Sequence, residues 1–390
     1  MTIEVDGARL DDPEALRAAD PGDMLRQVAS AAAQIREAQF RTAEAGIDVL
    51  AGGGRPRAVV VTGMGGSAIS GDVLAAVCGV GCPVPIVTVR GYQLPGWVGA
   101  ADLVIAVSCS GSTEETLAVA VEAVRRGSRL LCVGGEGSPL ADIAAQAGVP
   151  FIPVRSAGQP RATLWGLTVP LILAAQMIGL VDVSGDVLED TAKRLEDISH
   201  RCRPSSESFI NPGKQLATEL AGAVPMVWGT SPLAGVAAYR FACQFNENAK
   251  YPCVYGTLPE ANHNQVVAFD GPFGGSRAFA GGSGGPSPQG DMDDFFRDRA
   301  HEENGLHIVV LRDVEEHPQV ARRREVSVEL ARARGIPVTE IAAEGNHPLE
   351  RIATLIALAD YTTVYLAIAL GIDPTPVAAI QDLKARIADQ

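Results

Sequence analysis

Residues 58–77 read AVVVTGMGGSAISGDVLAAV, and the order of residue types in this stretch decides the fold. Val59, Val60, Val61 and Thr62 form a β-branched run without polar alternation, the pattern of a strand covered on both faces. Glycines at 63, 65 and 66 turn the chain, and the apolar run from Ser67 continues as a helix. The same alternation then repeats. PIVTVR (85–90), LVIAVSCSG (103–111), RLLCVGG (129–135) and PFIPV (150–154) read as strands, with helices over TEETLAVAVEAVRR (113–126) and PLADIAAQ (139–146). Upstream, residues 14–50 carry helical periodicity that GGG at 52–54 stops. Apolar strands separated by helices indicate a doubly wound α/β domain, which binds ligands beyond the carboxyl ends of its strands.

A second unit of similar build begins near residue 200. VPMVWGTS (224–231) is a strand entering a small-residue turn, followed by a helix over AGVAAYRFACQFNENAK. LHIVVLRD (306–313) and PVTEI (337–341) read as further strands, alternating with helices over REVSVELARARG and PLERIATLIALADYTTVYLAIALG. The fold class is therefore α/β: two doubly wound, flavodoxin-like parallel-sheet domains in tandem, over residues 1–195 and 196–390. The Gly/Ser/Pro-rich stretch 269–294 is too poor in apolar residues to order itself and is expected to be a mobile insertion.

The 390 residues suffice for two domains. A net charge of −14 argues against nucleic acid or an anionic membrane as the main partner, so an anionic ligand would need a local pocket. Seven cysteines without a CxxC pair indicate free thiols in a reducing cytoplasm rather than a disulfide framework or a zinc site. The acidic start, MTIEVDGARLDD, has no secretory pattern, and no uninterrupted apolar run of about 20 residues is present. Only four of the 32 basic residues are lysine: Lys193, Lys214, Lys250 and Lys384.

Two turns of the first domain have the chemistry of an anion site. GMGGSAISGD (63–72) lets backbone approach a ligand at Gly65 and Gly66, and Ser67 opens a helix. SCSGSTEET (108–116) places Ser108, Ser110, Ser112 and Thr113 before another helix. Helix N-termini expose unpaired N–H groups and carry partial positive charge, and hydroxyls add neutral donors. The expected ligand is a phosphomonoester. A dinucleotide is disfavoured, because GxGxxG spacing is missing and the second strand ends in Arg90 rather than an acid. In the second domain, FNENAKYPCVYGTLPEANHNQVV (245–267) gathers Glu247, Lys250, Glu260 and His263 in a chain with six histidines. That grouping suits proton transfer, with either glutamate as base, and it equally suits a polar loop between a helix and a strand. His301, His307, His317 and His347 lack metal-ligand spacing.

Taken together, GMGGSAISGD, SCSGSTEETL, FNENAK, PEANHNQVV and GIDPTPVAAIQDLK resemble the bifunctional phosphoglucose/phosphomannose isomerases, built from tandem sugar isomerase (SIS) domains. The resemblance covers nearly the whole chain. It implies that Gly66, Ser67, Ser108, Ser110 and Thr113 hold the phosphate of a hexose 6-phosphate, and that Glu247 is the base. It further implies that His263 and Lys384 handle ring opening and that Arg161 faces the enediol. Glu260 then falls behind Glu247 as base, and Lys250 is a structural partner or helix C-terminal cation. The resemblance also implies a homodimer, with His263 contributed across the interface. Two departures stand out: SCSGSTEET where the family pattern has SYSGNTEET, and PEANHNQ where it has PELNHNE, so that Ser112 and Gln265 replace an amide and an acid.

Aldose–ketose interconversion moves a proton between C1 and C2, which one carboxylate can do when its pKa is tuned toward the working pH. An arginine stabilises the developing enediolate, and an imidazole suits ring opening. No metal or organic cofactor is required. The alternative is a non-catalytic sugar-phosphate sensor, which would bind hexose phosphates without exchanging the C2 proton.

Overall fold

The computed structural model describes residues 7–156, 158–275 and 305–388. The chain divides into two compact units. One, here the amino-terminal unit, comprises residues 26–199 and 345–354; the rest forms the carboxy-terminal unit, which also takes the chain up to Leu25. The chain thus passes between units four times, and the boundary expected at 195/196 lies near only one of these passages.

In the amino-terminal unit five strands form one parallel sheet: β1 (Val59–Thr62), β2 (Ile86–Val89), β3 (Leu103–Ser108), β4 (Arg129–Gly134) and β5 (Phe151–Pro153), in the order β2-β1-β3-β4-β5. All pairs are parallel. The central strands β1 and β3 are buried along their whole length, as their unbroken apolar runs require. Strand order reverses between β1 and β3, and in such sheets the crevice at that point receives the ligand. The helices Gly66–Cys78 and Glu114–Arg125 leave from those two strands. Behind them the apolar helix Leu164–Met177 is buried nearly throughout and packs on Gly66–Cys78 and Ala31–Glu44.

The carboxy-terminal unit repeats the winding with one strand fewer. Its strands are β6 (Val224–Gly229), β7 (Val254–Thr257), β8 (Leu306–Arg312) and β9 (Val338–Ala342), in the parallel order β7-β6-β8-β9. The helix after β6, Pro232–Gln244, is held by a buried network in which Arg240 grips Asp360 at 2.7 and 3.1 Å and Gln244 adds a bond of 3.0 Å. Burial pushes the Asp360 carboxyl upward against the pull of Arg240.

Three details of the structure bear on the sequence expectations. The helical periodicity of residues 14–50 takes the form of Pro13–Ala19, Met24–Ala29, Ala31–Glu44 and Val49–Gly52, separated around Pro21–Gly22 and Gly46. The mobile insertion expected from 269 does not begin there: Phe269 is 2% exposed and its ring stacks on Trp228 at 5.8 Å, because this aromatic completes the core under β6. Residues 276–294 of that stretch lie outside the described residues. Finally, Pro348–Ala369 is long and apolar enough to cross a bilayer, yet its most apolar window is 94% buried, which makes it a core helix of the fold.

Candidate active site

The amino-terminal unit brings the two serine turns together. β1 ends at Thr62, and Gly65, with φ 53°, takes a conformation that disfavours any side chain. Ser67 is buried in the first turn of the helix that follows, and its Oγ accepts from the amide of Cys109, 3.3 Å away on the neighbouring turn. The Ser108 and Thr113 hydroxyls lie 2.8 Å apart, while Ser110 is exposed and its Oγ accepts from Ser112 N and Oγ at 3.3 and 3.0 Å. Neither helix N-terminus carries a side-chain cap: Gly65 has no side chain to offer, and Thr113 turns its hydroxyl toward Ser108. In the first helix the amides of Ser67 and Ala68 donate to the Met64 and Gly65 carbonyls, each at 3.1 Å, so it is the helix beginning at Glu114 whose first-turn N–H groups face outward for an external acceptor. Burial pushes the Cys109 thiol upward, against bonds to Ser156 and Thr163, so this side chain is a packed neutral group.

Arg161 belongs to the same place. Its short helical turn, Pro160–Ala162, passes over Gly66: a Cβ there would lie 3.6 Å from the Pro160 carbonyl and 3.9 Å from Arg161 Cα. The arginine is 4% exposed, and its Nη1 donates to Gln159 Oε1 at 3.1 Å. The backbone N–H of Gln159 donates to Gln27 Oε1 at 2.6 Å, a support that the sequence offered no signal for. A cation, two helix ends without side-chain caps and a set of hydroxyls thus share one unit.

The carboxy-terminal unit carries the other expected residues. Glu247 is half-buried in a five-residue π-helical widening, Phe245–Ala249, that extends the helix from Pro232. Such widenings concentrate at functional sites. Lys250 closes it in the left-handed region, φ 54°, and its Nζ donates to four carbonyls: Glu247 (3.1 Å), Asn248 (3.1 Å), Asp373 (2.9 Å) and Pro374 (3.0 Å). One ammonium therefore ties the Glu247 segment to the loop that leads into the last helix, Ala378–Ala388. Lys384 lies on that helix, exposed and without a hydrogen-bond or ion-pair partner among the described residues. His263 is likewise exposed at the end of the turn Glu260–His263. Glu260 accepts from Asn264 Nδ2 at 3.2 Å, a loop contact. Of the remaining histidines, His307 is buried against Thr339, His317 caps the helix Pro318–Ala333, and His347 bonds the amide of Leu349; His301 lies outside the described residues.

Two parallel, doubly wound sheets with serine-lined turns define the SIS class of sugar-phosphate proteins. A hypothetical protein of Thermus thermophilus superposes with a TM-score of 0.67 over 96% of this chain and 94% of its own, at 15% identity, a likeness of fold. The family model described as bacterial phospho-glucose isomerase C-terminal SIS domain matches residues 209–387. The bifunctional phosphoglucose/phosphomannose isomerase of Caldicellulosiruptor bescii is 33% identical over 331 residues, 85% of this chain and 89% of the relative. The enzyme of that name from Aquifex aeolicus is 29% identical over 85% of this chain and 90% of its own. The chain belongs to the bifunctional phosphoglucose/phosphomannose isomerase family.

Proposed function

We propose that this protein interconverts glucose 6-phosphate and mannose 6-phosphate with fructose 6-phosphate through a common enediol. Both aldoses lose the C2 distinction in that intermediate, so one pocket serves both. The phosphate is held by Gly66, by the N–H groups behind Thr113 and by the hydroxyls of Ser67, Ser108, Ser110 and Thr113. Glu247 takes the proton from C2 of the aldose and delivers it to C1, and Arg161 balances the charge that develops on the enediolate oxygens. Ring opening protonates O5 while O1 loses a proton, with His263 and Lys384 as the exchanging groups. The protein acts as a homodimer in which His263 serves the partner's site; its exposed ring, unbonded among the described residues, supports that arrangement. Seven free thiols support a cytoplasmic setting.

The reading is carried by one coincidence: membership of this isomerase family in a chain whose amino-terminal switch point gathers helix starts without side-chain caps and serine and threonine hydroxyls. Formation of fructose 6-phosphate from each aldose tests it. Glu247→Gln is expected to lower kcat about 10³-fold and to abolish deuterium uptake from solvent at C1 and C2. A wild-type protein that turns over neither sugar, or an unimpaired variant, overturns the proposal.

A further inference from the structure

The loop after β7 is pinned by all its polar side chains but one. Asn264 bonds Glu260, and Asn262 Nδ2 donates to Ser327 Oγ at 2.7 Å. Gln265 is held twice: its Oε1 accepts from Trp228 Nε1 at 2.6 Å, and its Nε2 donates to the Tyr255 carbonyl at 2.9 Å. The exception is His263, two residues away, whose exposed ring has no hydrogen-bond partner among the described residues. Its position is therefore set by the loop rather than by bonds of its own.

The contacts of Gln265 are chemically selective. An indole N–H only donates and a carbonyl only accepts, so the group between them must present one acceptor and one donor. A primary amide does this; a carboxylate presents acceptors alone and would set an oxygen against the Tyr255 carbonyl. The site is also built for the amide at close range. A Cβ at Gly256 would stand 2.7 Å from Gln265 Oε1 and 2.9 Å from its Nε2, so only glycine lets the amide lie across β7. Trp228, the fixed end of the bridge, is 1% exposed and stacked on Phe269.

We propose that Gln265 is a positioning residue for His263, its amide locking the turn to β6 and β7 so that the imidazole is presented in one place. The proposal rests on the reading of His263 as a ring-opening group. It also accounts for glutamine, rather than an acid, in PEANHNQ: the amide is what this Trp228–Tyr255 pair can bind.

The test combines indole N–H resonances, which the chain's three tryptophans keep few, with steady-state kinetics on fructose 6-phosphate. Gln265→Met, close in volume and free of donor and acceptor, is expected to shift the Trp228 indole resonance. It should lower kcat about tenfold while KM stays within about twofold, the size of effect expected from misplacing a reacting group. Gln265→Glu, which keeps the acceptor and loses the donor, is expected to lower kcat at least as far. Adding Gln265→Met to His263→Ala should cost nothing beyond His263→Ala alone. If Gln265→Met does not fold, Trp228→Phe removes the same bond while keeping a ring against Phe269, and the same kinetic outcomes apply to it. A folded variant with the indole shifted and kcat unchanged, beside a His263→Ala that is impaired, overturns the positioning role. So does a full multiplicative loss in the double variant. A His263→Ala with normal kcat overturns instead the ring-opening role on which the proposal rests, and the proposal with it.

Discussion

At the carboxyl ends of β1 and β3 the amino-terminal unit starts two helices without side-chain caps, whereas the carboxy-terminal unit caps both helices that follow β6 and β8. The two sheets can be compared residue by residue. Thr62 pairs with Ala106 and Gly229 pairs with Leu311, so two positions further on Ser108 of one sheet corresponds to Asp313 of the other. Ser108 meets a second hydroxyl, Thr113. Asp313 instead accepts from Ser231 Oγ at 2.9 Å, while Ser231 also caps its helix through the amide of Ala234 at 3.1 Å. One switch point has hydroxyls at the strand end and helix starts without side-chain caps; the other already contains a carboxylate and satisfies its own helix end. Winding supplies the location, and the residue at the strand end sets the chemistry that location offers.

Exchanging those residues is the most direct way to break the comparison. Ser108→Asp puts into the open site what closes the other one. Like charges set side by side cost several kcal/mol, so KM for fructose 6-phosphate is expected to rise about 100-fold or more, as a substrate titration will read. A KM within a few-fold of the wild type would mean that the phosphate is held elsewhere. Asp313→Ala is the converse change, and it should leave KM within about twofold. Its expected cost is stability, about 1–2 kcal/mol, from the buried Ser231 hydroxyl and the Val314 amide, which donates to Asp313 Oδ1 at 2.8 Å. Urea unfolding measures it, and a raised KM would deny the division of labour between the two sheets.

A smaller effect sharpens the contrast between the two ends of one strand. Just before β3, the buried Asp102 carboxylate receives Arg57 Nε at 3.0 Å, Arg57 Nη2 at 2.6 Å and Gly99 N at 2.8 Å. Burial works against ionisation there, but these donors outweigh it and hold the carboxyl below its usual range. A depressed folded-state pKa contributes stability above the unfolded value, about 3.9, and that contribution is lost as pH falls through the folded value. Asp102→Asn should therefore cost about 1 kcal/mol at pH 7, modest because Arg57 is largely exposed, with unchanged KM. The gap in melting temperature between variant and wild type should narrow below about pH 4. A gap that persists at low pH would place the effect in packing rather than in charge.

Much of this site was legible because its signals are local. A β-branched run followed by glycines and serines specifies strand, turn and helix start within a dozen residues, and hydroxyls before a helix announce an anion site. Gln265 carried no such signal: its partners Trp228 and Tyr255 lie 37 and 10 residues away, and only folding sets β6 beside β7. Lys250 read as a structural cation, but its ties to Asp373 and Pro374 span more than 120 residues and have no counterpart in spacing. The π-helical widening at Glu247 was likewise hidden, since FNENA continues an ordinary helical pattern.

By itself the chain's order of residue types determined two wound sheets, the open turns of the first and the small set of titratable side chains in the second. Hydrophobic periodicity and turn chemistry act over a few residues, so they are written in the sequence directly. Tertiary structure alone decided which polar groups find one another: Asp313 with Ser231, Asp102 with Arg57, Gln265 with Trp228. Those pairings depend on strand register and close approach across long stretches of chain, where donors must meet acceptors at about 3 Å once water is excluded.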